Sequence, residues 1–543
     1  MTELEEIKKF LDEQDDILAP IQKALNLSYW HASLSGKKYD YDTYEEFQKD
    51  IEKILHNKET FEKIKVFLEQ EIDDSIIKRR LELLHKAYLG SQGDIDLIKE
   101  IIKVSTKIER EFNTYLPKIN GREHTANELC DILKTKTDSE KLKQAWEASK
   151  EIGGIIKKDL LDLVRLRNKL AISLGFENYY TLSLELSEQK EQEIESLFNY
   201  LVDSTDESFR EVKKDMDEVL SKKYNIPITD LKPWHYQDKF FQEPPKTHEI
   251  NLDEVYTKDI VEITKRFYES IGFDINNILD KSDLYEKPGK YPHAYCIDIN
   301  RKGDVRTMQN IKNNEKWMDT ILHELGHGVY NQTLGQQSNE ELPHLLRDQA
   351  HIFTTEAIAL LFGRLSKNKE FIEKYCDVEP EMLIQIENEL VKISKAYELV
   401  FTRWSQVMFN FERELYKNPE QDLNKLWWNL VKRYQLIDFV RDKPDWASKI
   451  HLSSHPVYYH NYLLGKLLAS QLHNHITKNI LKKDSLHNID YSGNKEIAEY
   501  LKNNIFAPGK KYKWDEMIKK ATGEYLTPKY FVEQFVGSTS QPL

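Results

Sequence analysis

Residues 317–329 read Trp-Met-Asp-Thr-Ile-Leu-His-Glu-Leu-Gly-His-Gly-Val. Trp317, Met318, Ile321, Leu322, Leu325 and Val329 recur at three- and four-residue spacing, the stripe of a helix set against a core. On such a helix His323 and His327 share a face, so both imidazoles reach one ion. Glu324 projects beside them, within reach of a water. The pattern is H-E-x-x-H, which marks a zinc-dependent peptidase with the glutamate as general base.

A metal site of this kind needs a third ligand. The longer motif that supplies one from the same segment would need Gly and His where this chain has Tyr330 and Thr333, so the ligand comes from elsewhere. Glu356 sits among Ile352, Phe353, Ala359 and Leu360 at helical spacing, a carboxylate on an apolar face. Burying that charge alone would be costly, so it needs a strong partner, and a zinc ion qualifies. A salt bridge to an arginine such as Arg347 is the structural alternative. Glu340 and Glu341, in a polar stretch, are the other carboxylates that could serve.

Outward from this helix the same period persists. Ile194, Leu197, Phe198, Leu201 and Val202 form one stripe, continued by Phe209, Val212, Met216, Val219 and Leu220, which predicts a mainly α chain. The exception is Ala294–Met308, where Tyr295, Ile297 and Ile299 alternate before Arg301-Lys302-Gly303-Asp304 and Val305 resumes an extended run. This predicts a β-hairpin just before the metal helix, with an edge able to pair with an extended peptide.

At 543 residues the chain exceeds the size at which one core stops growing, which favours two lobes. No Pro/Gly/Ser linker or internal repeat marks a boundary, so residues 1–543 are expected to form a single catalytic unit. Charged residues make up 31% and the net charge is −14, without a basic, aromatic-interleaved block, which argues against nucleic acid as a partner. The start, MTELEEIKKFLDEQDD, lacks the basic end and apolar core of a signal peptide. Apolar runs such as 357–362 are too short to span a bilayer. Cys130, Cys296 and Cys376 have no paired spacing, so they read as core residues of a protein in a reducing cytoplasm.

Seven ordered segments then carry a resemblance: AWEASKEIGG at 145–154, PWHYQDKFFQE at 233–243, HAYCID at 293–298, the HELGH helix, LRDQAHIFTTEAIA at 346–359, LWWNLVKRYQ at 426–435 and KIHLSSHPVYYHNY at 449–462. From about residue 110 onward the chain resembles the angiotensin-converting enzyme family of peptidyl dipeptidases, its bacterial members especially. The resemblance implies a mainly α, two-lobed zincin fold enclosing a deep substrate channel, with a small β-hairpin or sheet beside the site. It further implies one Zn2+ per chain, a candidate helical lid at 1–110, a zinc-binding core at 291–365 and a substrate-binding and oxyanion segment at 426–475.

By the same resemblance Glu356 matches the third zinc ligand, in agreement with the burial argument. His451 and Tyr462 match the pair that stabilises the tetrahedral intermediate, and His293 and Ala294 the strand that binds the peptide backbone. Gln242, Lys449 and Tyr459 match the trio that grips a C-terminal carboxylate. An ammonium with amide and phenol donors suits that task, and a phenol with an imidazole suits a developing oxyanion. Three departures stand out. The interval from His451 to Tyr459 and Tyr462 is one residue longer than the family's, so Tyr458 competes with Tyr459. Asn461 replaces a chloride-binding arginine of the animal enzymes. Leu360 replaces an aspartate that orients a ligand histidine, for which Asp319 is the candidate substitute.

The expected activity is removal of C-terminal dipeptides from short peptides. The alternatives are an endo-acting oligopeptidase of the thimet or oligoendopeptidase kind and a non-catalytic peptide-binding scaffold. The sequence sets no oligomeric state.

Overall fold

The long apolar stripes become long helices. Residues 191–224 form one helix, Glu191–Tyr224, that buries Ile194, Phe198, Leu201, Phe209, Met216 and Leu220, while Val219 at the edge of the stripe stays exposed. The computed structural model describes residues 2–247, 250–291, 293–335 and 342–537. Its fold is mainly α, as the periodicity predicts. Among the described residues only two short antiparallel strand pairs interrupt the helices: Lys118–Ile119 with Arg122–Glu123, and Tyr295–Asp298 with Val305–Met308. Glu340 and Glu341, weighed as alternative ligands, lie outside the described residues.

By contacts the chain divides into two compact units, each assembled from separate stretches. The first comprises Met1–Gln92, Ile250–Leu390 and Leu464–Phe531. Its first helices have a core of their own, in which Ile7, Phe10 and Leu11 meet Phe61, Ile64, Leu81 and Leu84. Arg80, almost fully buried there, donates to Asp12 and Asp15 at 2.9 Å each, so the charge is not left unpaired.

The predicted hairpin lies in this unit. Tyr295 pairs with Met308 and Asp298 with Val305. Arg301 and Gly303 both take left-handed backbone at the turn, and the Asn300 side chain accepts from the amides of Lys302 and Asp304. The hairpin packs on helix Glu315–Gly335, which carries the H-E-x-x-H residues. That helix lies against helix Ile352–Gly363, the carrier of Glu356. Gly326 sets how close the two come: a Cβ there would sit 2.8 Å from the Ala359 Cα. Helix Ile352–Gly363 is buried on nearly all sides, apart from Ile352, which is exposed.

The second unit comprises Gly93–Glu249, Val391–Leu463 and Val532–Leu543. Three of the quoted segments meet in its core. Trp146 of helix Ser139–Ser173 packs against Trp234, Trp428 and Phe439 with ring centroids about 6 Å apart. Gly153, on the same helix, admits the Pro444–Ser448 backbone, since a Cβ there would fall 2.4 Å from the Pro444 carbonyl oxygen. The turn that follows delivers Lys449.

Candidate functional site

In the first unit, His323, His327 and Glu356 each offer a ligand atom, and these atoms lie within 4.8 Å of one another. The two Nε2 atoms are 3.2 Å apart, and a Glu356 oxygen is 3.7 Å from His323 Nε2. Among the described residues this is the one group of three or more His, Cys, Asp or Glu side chains so arranged. Burial pushes the His323 imidazole down to about 4, and burial with the neighbouring His323 pushes His327 well below the usual imidazole range. Both rings are therefore neutral near pH 7, with a lone pair to give, as a metal ligand must be. Two imidazole nitrogens and a carboxylate oxygen fit Zn2+, leaving a coordination position for water or substrate.

The remaining ring nitrogen of His327 is held by Thr355 Oγ1 at 2.7 Å, which turns Nε2 toward the cluster. Asp319, the candidate substitute, lies one turn before His323 and its charge acts on that imidazole, while Lys367 Nζ bridges it at 2.8 Å. The same ammonium reaches Glu315 at 2.6 Å. Gly363 makes room for Asp319, whose Oδ1 would be 2.9 Å from a Cβ at that position. Gly465 does the same for Glu356, with 3.1 Å between the Glu356 Cβ and a Cβ built there.

Glu324 is buried beside these ligands, and one carboxylate oxygen has no hydrogen-bond partner within the protein. Burial, with the Glu356 charge, pushes it up to about 8. A carboxylate so placed is a stronger base than a solvated one and suits proton transfer near neutral pH. His293 and Ala294 lead into strand Tyr295–Asp298, whose ladder partner is Val305–Met308 on one side. The His293 ring is exposed and lies 5.4 Å from that of Tyr291.

A second cluster forms in the second unit. Lys449 Nζ donates to Gln242 Oε1 at 2.9 Å and sits 5.0 to 5.4 Å from the ring centres of Tyr459, Trp404 and Phe240. Burial lowers the Lys449 amine to about 8, against the pull of Asp238 and Glu243. Tyr459 Oη accepts from Trp404 Nε1 at 2.6 Å, which leaves the phenolic proton to donate. The tyrosine ring beside Lys449 is thus that of Tyr459; Tyr458 packs between His455 and Tyr462. Asp238 fixes the Gln242 loop by accepting the amides of Phe240 and Gln242, at 2.8 and 3.1 Å. Gln435 donates to the carbonyls of Phe240 and Phe241 from the other side. The His451 ring lies 6.3 Å from that of Tyr462 and 5.1 Å from that of Tyr459. Asn461 accepts from Gln189 at 2.8 Å, a neutral buried pair.

Each residue group named from sequence therefore has a place: the histidines with Glu324 and Glu356 in one unit, and Gln242, Lys449, His451, Tyr459 and Tyr462 in the other. Thr355, Asp238 and Gln435 had no signal in local spacing, because each acts on a residue distant in sequence or through a backbone group. A family model described as angiotensin-converting enzyme matches residues 1–535.

The chain belongs to the angiotensin-converting enzyme family.

Within reach of that family, it is 24% identical to Carboxypeptidase 1 of Bacillus subtilis over 294 residues, 50% of this chain and 56% of that protein. It is 24% identical to Thermostable carboxypeptidase 1 of Pyrococcus furiosus over 428 residues, 72% of this chain and 75% of that one. A third similarity, 25% over 221 residues, is to the Inactive angiotensin-converting enzyme-related protein of Caenorhabditis elegans, and covers 37% of this chain and 23% of that protein. The chain thus spans little more than half of the Bacillus protein and three quarters of the archaeal one. Among the described residues no helix is long and apolar enough to cross a membrane.

Proposed function

We propose that this protein is a zinc-dependent peptidase of the cytoplasm that removes dipeptides from the C-termini of short peptides. The observation that carries the reading is the convergence of His323, His327 and Glu356 ligand atoms within 4.8 Å, with the buried carboxylate of Glu324 alongside. Zinc at these residues would supply Lewis-acid chemistry, polarising the scissile carbonyl and easing deprotonation of water. Glu324 takes the proton of the attacking water and passes it to the departing amine as the C–N bond breaks. His451 and Tyr462 donate hydrogen bonds to the oxyanion as it develops. Lys449, Gln242 and Tyr459 hold the substrate's terminal carboxylate, and the strand entered through His293 and Ala294 pairs with its backbone.

The names of two relatives, both carboxypeptidases, support an exo-acting reading. A non-catalytic role has one observation in its favour, the relative named as inactive, and an intact H-E-x-x-H against it. Glu324→Gln separates these. It should lower kcat on the order of 100- to 10,000-fold, with zinc still present at one per chain by metal analysis. Equal hydrolysis by the variant and the parent would remove Glu324 from the mechanism. Amidating the C-terminus of a test peptide should abolish most turnover; full activity on the amide would favour an endo-acting oligopeptidase.

A further inference from the structure

The segment from Lys449 to Tyr462 carries four of the proposed substrate-handling side chains, and its backbone is unusual at one point. Val457 has φ of 54°, in the left-handed region. A β-branched residue pays more there than almost any other, so the surroundings must hold it. Two buried side chains bond to the backbone around it. Arg167, on helix Ser139–Ser173, donates to the carbonyls of Leu452 at 3.2 Å and Ser453 at 2.6 Å, and to Tyr416 Oη at 3.2 Å. Glu412, on helix Pro380–Lys417, accepts the Val457 amide at 2.7 Å. Arg167 and Glu412 are 4% and 3% exposed, and burial pushes the Glu412 carboxyl up to about 7 against the pull of the Val457 amide and of Arg167.

These bonds fall on either side of the turn at His455 and Pro456, two after His451 and one before Tyr459. We propose that Arg167 and Glu412 are positioning residues, a buried two-ended clamp that holds the 452–457 segment with Val457 in its left-handed form and so sets His451 relative to Tyr459 and Tyr462. Neither touches the proposed substrate groups. Both act on main-chain atoms, where a change in side-chain chemistry moves everything attached to the turn. A buried pair kept only for packing would have no reason to grip three backbone atoms around one strained residue. The role assigned to the turn rests on the peptidase reading above; the clamp itself does not.

Hydrogen exchange on the unmodified protein tests the clamp without reference to catalysis. The Val457 amide lies in a turn, yet it should exchange as slowly as amides of the flanking helices; exchange at the rate of an open loop would overturn the proposal. Glu412→Leu removes the acceptor and should free that amide, whereas Glu412→Gln keeps an oxygen there and should leave it protected. If the turn positions catalytic groups, Glu412→Leu should also lower kcat on the order of 100-fold, as small misplacements do, with little change in KM, and Glu412→Gln should recover most of it. In a Val457→Gly background the left-handed backbone needs no outside hold, so Glu412→Leu should cost fewer-fold in kcat. The same fold loss in both backgrounds would sink the clamp. Should the parent protein hydrolyse no peptide, the function reading fails, and the exchange result still decides on the clamp.

Discussion

Lys449 shows how a single buried amine ties charge to pH. Burial among Phe240, Trp404 and Tyr459 lowers it to about 8, so below that pH it is an ammonium and above it a neutral amine. Only the ammonium neutralises a substrate carboxylate. Glu324, the proposed base, gives a rising limb near the same pH for every substrate, so the ratio of kcat/KM for a peptide with a free C-terminus to that for its amide should fall as pH rises through about 8. A ratio flat to pH 10 would take Lys449 out of carboxylate binding. The neutral pair of Gln189 and Asn461 makes a different point at this scale: a buried amide can satisfy an amide without any ion, and here it does.

Among elements, the packing of helix Glu315–Gly335 on helix Ile352–Gly363 governs the candidate metal site, because one carries both histidines and the other the glutamate. Gly326→Ala would drive a methyl to 2.8 Å from the Ala359 Cα and 3.2 Å from its nitrogen. Backbone cannot rotate away as a side chain can, so the helices must separate, at a cost of about 1–3 kcal/mol. The variant should melt a few degrees lower and bind zinc more weakly in a chelator competition. An unchanged melting point together with unchanged zinc affinity would show that the contact relaxes freely.

The same pair of helices shows what was legible beforehand. The period of Trp317, Ile321, Leu325 and Val329 named the first helix, and alternation through Tyr295, Ile297 and Ile299 named the hairpin, because both signals repeat within a few residues. Glu356 was legible through the cost of an unpaired charge in an apolar stretch. Thr355 beside it was not: its hydroxyl matters through His327, 28 positions away, and nothing in local spacing records that. The bond between Glu412 and Val457 was invisible for the same reason, and a left-handed valine contradicts its own residue preference. Local periodicity names elements; contacts between distant elements supply the rest.

For the whole molecule, the first unit holds all three candidate ligands, so ligand binding should stabilise that unit locally. Restoring zinc to chelator-treated protein at about a thousand times its dissociation constant adds about 4 kcal/mol to the bound state. Hydrogen exchange should slow in helices Glu315–Gly335 and Ile352–Gly363 and stay unchanged in helix Glu191–Tyr224 of the second unit. Slowing only in the latter, or nowhere, would contradict the assignment of the ligands.

The interleaving of the two units also orders events during synthesis. Helices Glu3–Ser35 through Ser75–Leu89 leave the ribosome long before residues 464–531, which complete the unit they belong to. At roughly 5–20 residues per second, the nascent chain spends tens of seconds with early helices made and their last neighbours still untranslated. The second unit waits as well, for residues 391–463. Neither unit can close behind the other in the usual N-to-C order, so apolar faces such as the Trp146 surface stay uncovered until late. A nascent chain of this design is a natural client for chaperones that shield such faces, and a stalled ribosome short of residue 464 would release a product with no finished unit to protect it from proteolysis.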